Sequence, residues 1–194
     1  MALGWGLIGA GTVAQQWMID AIRVQDDCDV VSIFDRNRDR AEDVAAKWPP
    51  SQVEESVEAL LANDAVDVVY ICTTNETHAP LTLAAAAAGK HVLCEKPMAM
   101  NLDDARAMIA ACEKAGVVLG INHHLRNAVT HRVMRDALAA GRIGTPVAGR
   151  VFHAVHLPEF LRTWRVNDPV AGGGAILDIT VHNADTIRFL FGEE

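Results

Sequence analysis

Residues 6–14, "GLIGAGTVA", decide the fold. They follow "LGW" at 3–5 and lead into a segment whose apolar landmarks are Val13, Trp17 and Ile22. A strand over 3–8 thus runs into a glycine turn, and from Thr12 to about Ile22 the pattern is helical. The turn carries Gly9-x-Gly11-x-x-Ala14. Gly9 suits the tight turn, and Gly11 lets the backbone come close to a pyrophosphate at the helix N-terminus. Ala14 is small enough for close helix–strand packing. Thr12 and Val13 belong to the same turn and join the candidate cofactor-binding set. Alone, such a turn is shared by many folds. Here the next strand, "CDVVSIF" at 28–34, is followed by Asp35, 24 residues past Gly11. An acid there accepts hydrogen bonds from an adenosine ribose, which predicts NAD as the cofactor. Arg36 and Arg38 sit beside it, and either could reach a 2′-phosphate and admit NADP. The bland readings are a merely tight turn and a plain turn acid.

Outward from this turn the chain keeps alternating. "DRNRDRAEDVAAKW" is a helix stopped by Pro49 and Pro50, "SVEALLAN" a short helix, and "VDVVYICTT" at 66–74 a buried strand. "THAPLTLAAAAAG" reads as a helix ended by Gly89 and "HVLCE" as a strand. A further helix opens at Asn101 as cap, with Asp104 three residues on and Gly116 as its stop; "VVLGIN" at 117–122 is one more strand. The layout predicts a doubly wound α/β fold on a parallel sheet, a dinucleotide-binding domain over residues 1–122. Residues 123–194 read as the start of a second, incomplete α/β domain for substrate and oligomer contacts. It comprises a helix from "AVTHRVMRDALAAGRIG", one longer strand at 146–157, a polar glycine-rich connection and a helical segment at 175–192. One strand cannot bury a sheet face or satisfy its own edges.

Bulk properties exclude several classes. Seventeen Lys/Arg against 25 Asp/Glu give a net charge of −8 without a dense basic cluster, so nucleic acid is not an expected partner. The run "PLTLAAAAAG" falls far short of the roughly 20 residues a membrane span needs. The N-terminus lacks the pattern of a signal peptide. Cys28, Cys72, Cys94 and Cys112 form no CxxC pair and read as reduced thiols of a cytoplasmic protein. No metal site is expected, because the histidines scatter across elements without ligand spacing.

Two stretches carry candidate chemistry. "TTNETH" lies at the carboxyl end of a strand, where open α/β sheets place ligands, so Thr73, Asn75 and His78 could line a cofactor; equally, Asn75 and Thr77 could simply cap the next helix. In "HVLCEKPMAM", Glu95, Lys96 and Pro97 occupy the end of the following strand. Lys96 is either solvated surface or an ammonium held beside a nicotinamide and a substrate oxygen. Further on, "GGGAILDITVH" sets Asp178 and His182 four residues apart on one helix face. A histidine is the natural proton acceptor near neutral pH, and a nearby carboxylate can organise it. A first-turn acid and an ordinary interfacial histidine are the plainer alternatives. Glu159, Trp164 and Arg165 are candidate substrate contacts.

The stretches "GWGLIGAGTVA", "CTTNETHAPLTLAAAAAGKHVLCEKPMA" and "AGGGAILDITVHNADTIRFL" resemble the Gfo/Idh/MocA oxidoreductase family. The resemblance implies that Lys96 lies against the nicotinamide and assists catalysis, that His182 acts as acid/base, and that Asp178 lies near the substrate. It implies a Rossmann domain followed by an α/β domain with an open, mainly antiparallel sheet, commonly the oligomer interface, so a homo-oligomer is expected of the full-length protein. It also implies hydride exchange between NAD(P) and a sugar, cyclitol or related polyol. Family members normally continue well past a position like Glu194, so the chain is expected to be truncated. A glycoside hydrolase of the same fold, or a non-catalytic nucleotide-binding fragment, are the alternatives.

Overall fold

The computed structural model describes residues 2–49, 51–154 and 156–192. It divides into two compact units, Met1–Ile121 and Asn122–Glu194.

The first unit is a six-stranded sheet. Its strands are β1 (Leu3–Ile8), β2 (Cys28–Phe34), β3 (Gln52–Val53), β4 (Val68–Ile71), β5 (His91–Cys94) and β6 (Leu119–Ile121), ordered β3-β2-β1-β4-β5-β6. Every pairing is parallel. Between them run α1 (Ile19–Arg23), α2 (Arg38–Lys47), α3 (Val57–Ala62), α4 (His78–Ala87) and α5 (Leu102–Ala115). The strands are apolar nearly throughout because both faces are covered, as parallel sheets require. Leu7, Val30, Ile33 and Tyr70 enter one core with Ile19 and Ile22 of α1 and Val44 of α2; Val30 and Ile33, three apart, share this face because the β1–β2 register shifts between them. Ile8, Val69, Ile71 and Val92 point into the other, with Leu60 of α3, Ala85 of α4 and Met108 of α5.

Local chemistry fixes the helix ends. Asn101 accepts the Asp104 amide at 2.8 Å, and Gly116 closes α5 at φ +68°, in the left-handed conformation that favours glycine. Asn37 and Ser56 cap α2 and α3 in the same way. Two sequence expectations needed adjustment here, and one strand was unforeseen. The helix expected from Thr12 opens there, but passes through a wider π-helical turn over Ala14–Met18 before continuing as α1 from Ile19. The strand expected at 66–74 forms its ladder over Val68–Ile71 alone. The two-residue β3 was not foreseen, because nothing in so short a stretch shows period-2 alternation.

Among the described residues of the second unit, the regular elements are helices and helical turns. They include α6 (Val129–Ala139), a short α7 (Trp164–Asn167) and α8 (Val181–Phe191), the last preceded by a π-helical turn at Ile176–Thr180. The strand expected at 146–157 is not formed: its described residues belong to no ladder, and Val155 lies outside them. The backbone there has no neighbouring strand among the described residues, and alternation without a partner does not make a sheet. α6, α8 and the stretch around 145–152 enclose an open groove of about 570 Å³ lined by Met134, Leu138, Phe152 and Leu190. No helix among the described residues is long and apolar enough to cross a membrane.

Candidate functional site

The strand order reverses between β1 and β4, whose neighbours run outward on either side. Open α/β sheets bind ligands at the carboxyl ends of the strands at such a point. Gly9 follows β1 directly, with φ +100°, and a Cβ built on it would lie 2.4 Å from the Cys72 carbonyl oxygen. The fold itself demands glycine there. Gly11 differs: a Cβ would meet nothing within 4 Å. Packing leaves room for a side chain at Gly11, and what it borders is open space that an approaching ligand can use.

Asp35 anchors this turn. Its Oδ2 accepts the Ala10 amide at 2.8 Å and its Oδ1 the Asn37 amide at 2.8 Å, while Arg40 approaches Oδ2 at 3.4 Å. The carboxylate is thus held at the end of β2 and oriented by the turn it braces, with lone pairs remaining for a ribose. Of the two arginines the sequence pointed to, Arg38 is paired with Glu42 at 2.7 Å and Glu55 at 2.6 Å, and Arg36 is exposed. Arg40, on the first turn of α2, is the guanidinium that meets Asp35, and its spacing of five from the acid gave no signal. A dinucleotide fits these residues: glycine turn, open second glycine and oriented acid at one edge of the sheet.

Past β4, Thr73 lies beside Gly9, its Cγ2 3.2 Å from where a Gly9 Cβ would be. The Thr77 hydroxyl is 2.6 Å from the Thr73 hydroxyl and 2.7 Å from the Thr74 carbonyl, so it turns back on the loop rather than capping α4. Asn75 is buried in the 3-10 turn Asn75–Thr77. His78, first residue of α4, is fully buried, its Nδ1 2.8 Å from the Pro97 carbonyl oxygen. Burial lowers its pKa below the usual imidazole range, against the opposing pull of that hydrogen bond.

Glu95 follows β5, donates its amide to the Ile71 carbonyl at 2.9 Å, and is itself buried. Tyr70, in the middle of β4, donates its hydroxyl to Glu95 Oε1 at 2.7 Å. Burial first, and then the neighbouring Cys72 and Glu95, push the Tyr70 phenol far above its ordinary pKa. Sequence did not flag Tyr70, which reads as one more apolar strand residue. The Lys96–Pro97 peptide is cis.

In the second unit, Asp178 sits in the π-helical turn before α8, where its carboxylate lies 3.8 Å from Arg165. Arg165 in turn stacks on Trp164, 4.5 Å from its ring centre. One of the three residues named as candidate substrate contacts, Arg165, therefore adjoins the candidate acid, and Trp164 stacks on its guanidinium. His182 is buried and its imidazole is surrounded by others: His124 at 5.2 Å between ring centres, His153 at 6.4 Å and His123 at 6.5 Å. Histidines scattered along the chain are gathered here, yet among the described residues no group of His, Cys, Asp or Glu is arranged to hold a metal ion. Asp185, one turn past His182, is buried and takes Arg126 in a bidentate grip at 2.7–3.0 Å. His123 Nδ1 lies 3.8 Å from the same carboxylate. Neither Asp185 nor Arg126 was singled out from sequence; the spacing of three from His182 was the available signal.

An oxidoreductase family with an NAD-binding Rossmann fold matches residues 3–123, and a GFO/IDH/MocA C-terminal domain matches residues 131–194. A 1,5-anhydro-D-fructose reductase of Ensifer adhaerens is 56% identical over 98% of this chain and 57% of its own length. A myo-inositol 2-dehydrogenase of Thermotoga maritima is 32% identical over 97% of this chain and 55% of its own. Among solved structures, an NAD-binding protein from Listeria innocua superposes with a TM-score of 0.86 at 29% identity, covering 98% of this chain and 55% of that one. The chain spans a little over half the length of these relatives. With the glycine turn, the parallel sheet and both family matches in agreement, the chain belongs to the GFO/IDH/MocA family of NAD-binding oxidoreductases.

Proposed function

We propose that this chain carries the cofactor site and the proton-handling residues of an NAD-dependent oxidoreductase acting on a sugar, cyclitol or related polyol. The observation that carries the reading is Gly11, a glycine the fold does not need, bordering open space at the switch point of the sheet. The substrate class rests on the relatives, one named for an anhydro sugar and one for inositol.

Bound nicotinamide would supply the two-electron acceptor or donor. In the oxidising direction the substrate carbon gives up its hydride, its hydroxyl gives the proton to His182, and a carbonyl forms; reduction reverses each transfer. Lys96 stabilises the negative charge that develops on the reacting oxygen, and Asp178 orients the acid/base group. Glu159, Trp164 and Arg165 contact substrate. Gly9, Gly11, Thr12, Val13 and Ala14 hold the pyrophosphate, Asp35 the ribose, and Thr73, Asn75, Glu95 and Pro97 the nicotinamide side. A reducing, cytoplasmic setting is supported by four free cysteines, and a homo-oligomer of the longer protein by the apolar residues the second unit exposes.

Asp35 repels a 2′-phosphate at close approach by about 1–4 kcal/mol, while exposed Arg36 offsets part of this. NAD is therefore expected to bind this chain more tightly than NADP by calorimetry, and Asp35→Ala to narrow the gap. A panel of polyols and ketones followed at 340 nm then tests the chemistry. Equal affinities would remove the cofactor preference, and tight NAD binding without turnover of any polyol by the longer protein would remove the oxidoreductase reading.

A further inference from the structure

Lys96 is bracketed by the contacts of two buried side chains, Tyr70 and His78, that the chemistry above does not use. On its amino side, Glu95 is held by the Tyr70 hydroxyl at 2.7 Å. On its carboxyl side, the Pro97 carbonyl oxygen lies 2.8 Å from His78 Nδ1. A carbonyl oxygen only accepts, so Nδ1 must carry the proton and donate it. His78 is fully buried, which makes it a poor candidate to touch a cofactor and a good one to hold backbone. It is also the first residue of α4, a ten-residue helix packed on both its strand neighbours and α5, so its ring is fixed to a rigid element.

We propose that His78 is a positioning residue for Lys96, its Nδ1–H clamping the Pro97 carbonyl so that the residue 95–97 turn, tied on its other side through Tyr70 and Glu95, presents the ammonium in one direction. The inference rests on the proposed role of Lys96 only for its catalytic consequence; the clamp itself stands on the geometry. A side chain as long and flexible as lysine samples many directions if the backbone beneath it moves, and misplacement of about 1 Å is costly at a reacting centre. A buried donor on the neighbouring peptide removes that freedom. It contributes without touching the reacting atoms, which separates it from Lys96 itself.

The test compares His78→Leu, which fills the space without a donor, with His78→Asn, whose Nδ2 can donate from nearly the same place. The readout is the rate at which Lys96 is labelled by pyridoxal phosphate and borohydride, scored by mass spectrometry against Lys47, Lys90 and Lys114 in the same molecule. Without NAD, the Lys96 ratio should shift at least threefold in His78→Leu and return to the parent value in His78→Asn. An unchanged ratio in His78→Leu overturns the clamp. If His78→Leu unfolds, all four lysines react faster together, and His78→Asn then decides: a parent-like ratio supports the clamp, and any other ratio overturns it. A parallel arm with saturating NAD separates the two readings. NAD should protect Lys96 in the parent and less so in His78→Leu, with NAD affinity changed less than threefold. Absence of protection in the parent removes the cofactor-facing role of Lys96 while the arm without NAD still judges the clamp.

Discussion

The two units of this chain treat their apolar side chains in opposite ways. In the first, both faces of the sheet are covered, and Leu7, Ile8, Ile33, Tyr70 and Ile71 are all but inaccessible. In the second, only Ala171 and Leu190 are buried apolar residues among those described, while Val129, Val133, Ile143, Val147 and Phe152 are exposed. The first unit closes its own hydrogen bonds through five parallel pairings; the second has an extended stretch with no ladder. Burial at about 25 cal/mol per Å² therefore holds the cofactor unit together. The second unit leans more on particular contacts, chiefly α6 against α8 and Arg126 on Asp185. A site assembled on the first is fixed by its core, and one on the second by a few polar bonds.

The largest effect should come from Gly9. Gly9→Val puts a branched side chain at φ +100°, against a carbonyl oxygen 2.4 Å from the Cβ. Strain and collision together should cost about 3 kcal/mol or more, read by urea denaturation, with loss of NAD binding. Gly11→Ala supplies the contrast. Its stability should hold or rise by about 0.4–1 kcal/mol, while NAD affinity falls at least about tenfold. If Gly11→Ala bound NAD as the parent does, the open space at Gly11 would have no ligand to explain it.

The second unit should answer to Asp185. Removing it leaves Arg126 without its bidentate partner, and because that guanidinium is 35% exposed the loss should be about 1–2 kcal/mol, below the range for a fully buried pair. In Asp185→Ala, hydrogen exchange should speed up in α8 and residues 124–127 and stay unchanged in β1 and β4. Equal acceleration in β1 and β4 would show that the units do not differ in how they are held.

Legibility followed the same division. The glycine turn, Asp35, the cap at Asn101 and the stop at Gly116 were all readable because each is local chemistry: a φ, a cap bond or a strand-end acid within a few residues. The strand at 146–157 was misread because alternation predicts a face, whereas a ladder needs a neighbour that sequence does not supply. The histidines defeated spacing for a related reason. His123, His124 and His153 come from different segments than His182, and only the fold brings their rings within 6.5 Å. Tyr70 went unflagged and His78 was read as lining a cofactor, because an apolar-looking strand and a helix start give no hint that their polar atoms reach Glu95 and Pro97.

The smallest effects, and the most telling about the first unit, come from pH. His78 is held below its ordinary pKa of 6.5 by burial. Between that value and its folded value the unfolded chain binds a proton that the folded one refuses, so stability is complete above pH 6.5 and declines as pH falls below it. Cys94 and Tyr70 act at the other end. Burial raises both, from 9.0 and 10.0, so in alkali the unfolded chain loses protons that the folded one keeps. Stability should then decline as pH rises past 9.0 and more steeply past 10.0. Each proton contributes a slope of at most about 1.4 kcal/mol per pH unit. Urea midpoints from pH 5 to 10.5, followed by tryptophan fluorescence, should trace a plateau with two falling limbs. The decisive quantity is the difference between parent and variant. His78→Asn should flatten the decline just below neutrality and leave the alkaline limb alone, and Cys94→Val should do the reverse. An acid limb identical in His78→Asn and parent would mean that His78 takes up its proton in place, and that the core around the Lys96 turn is more open to water than its geometry shows.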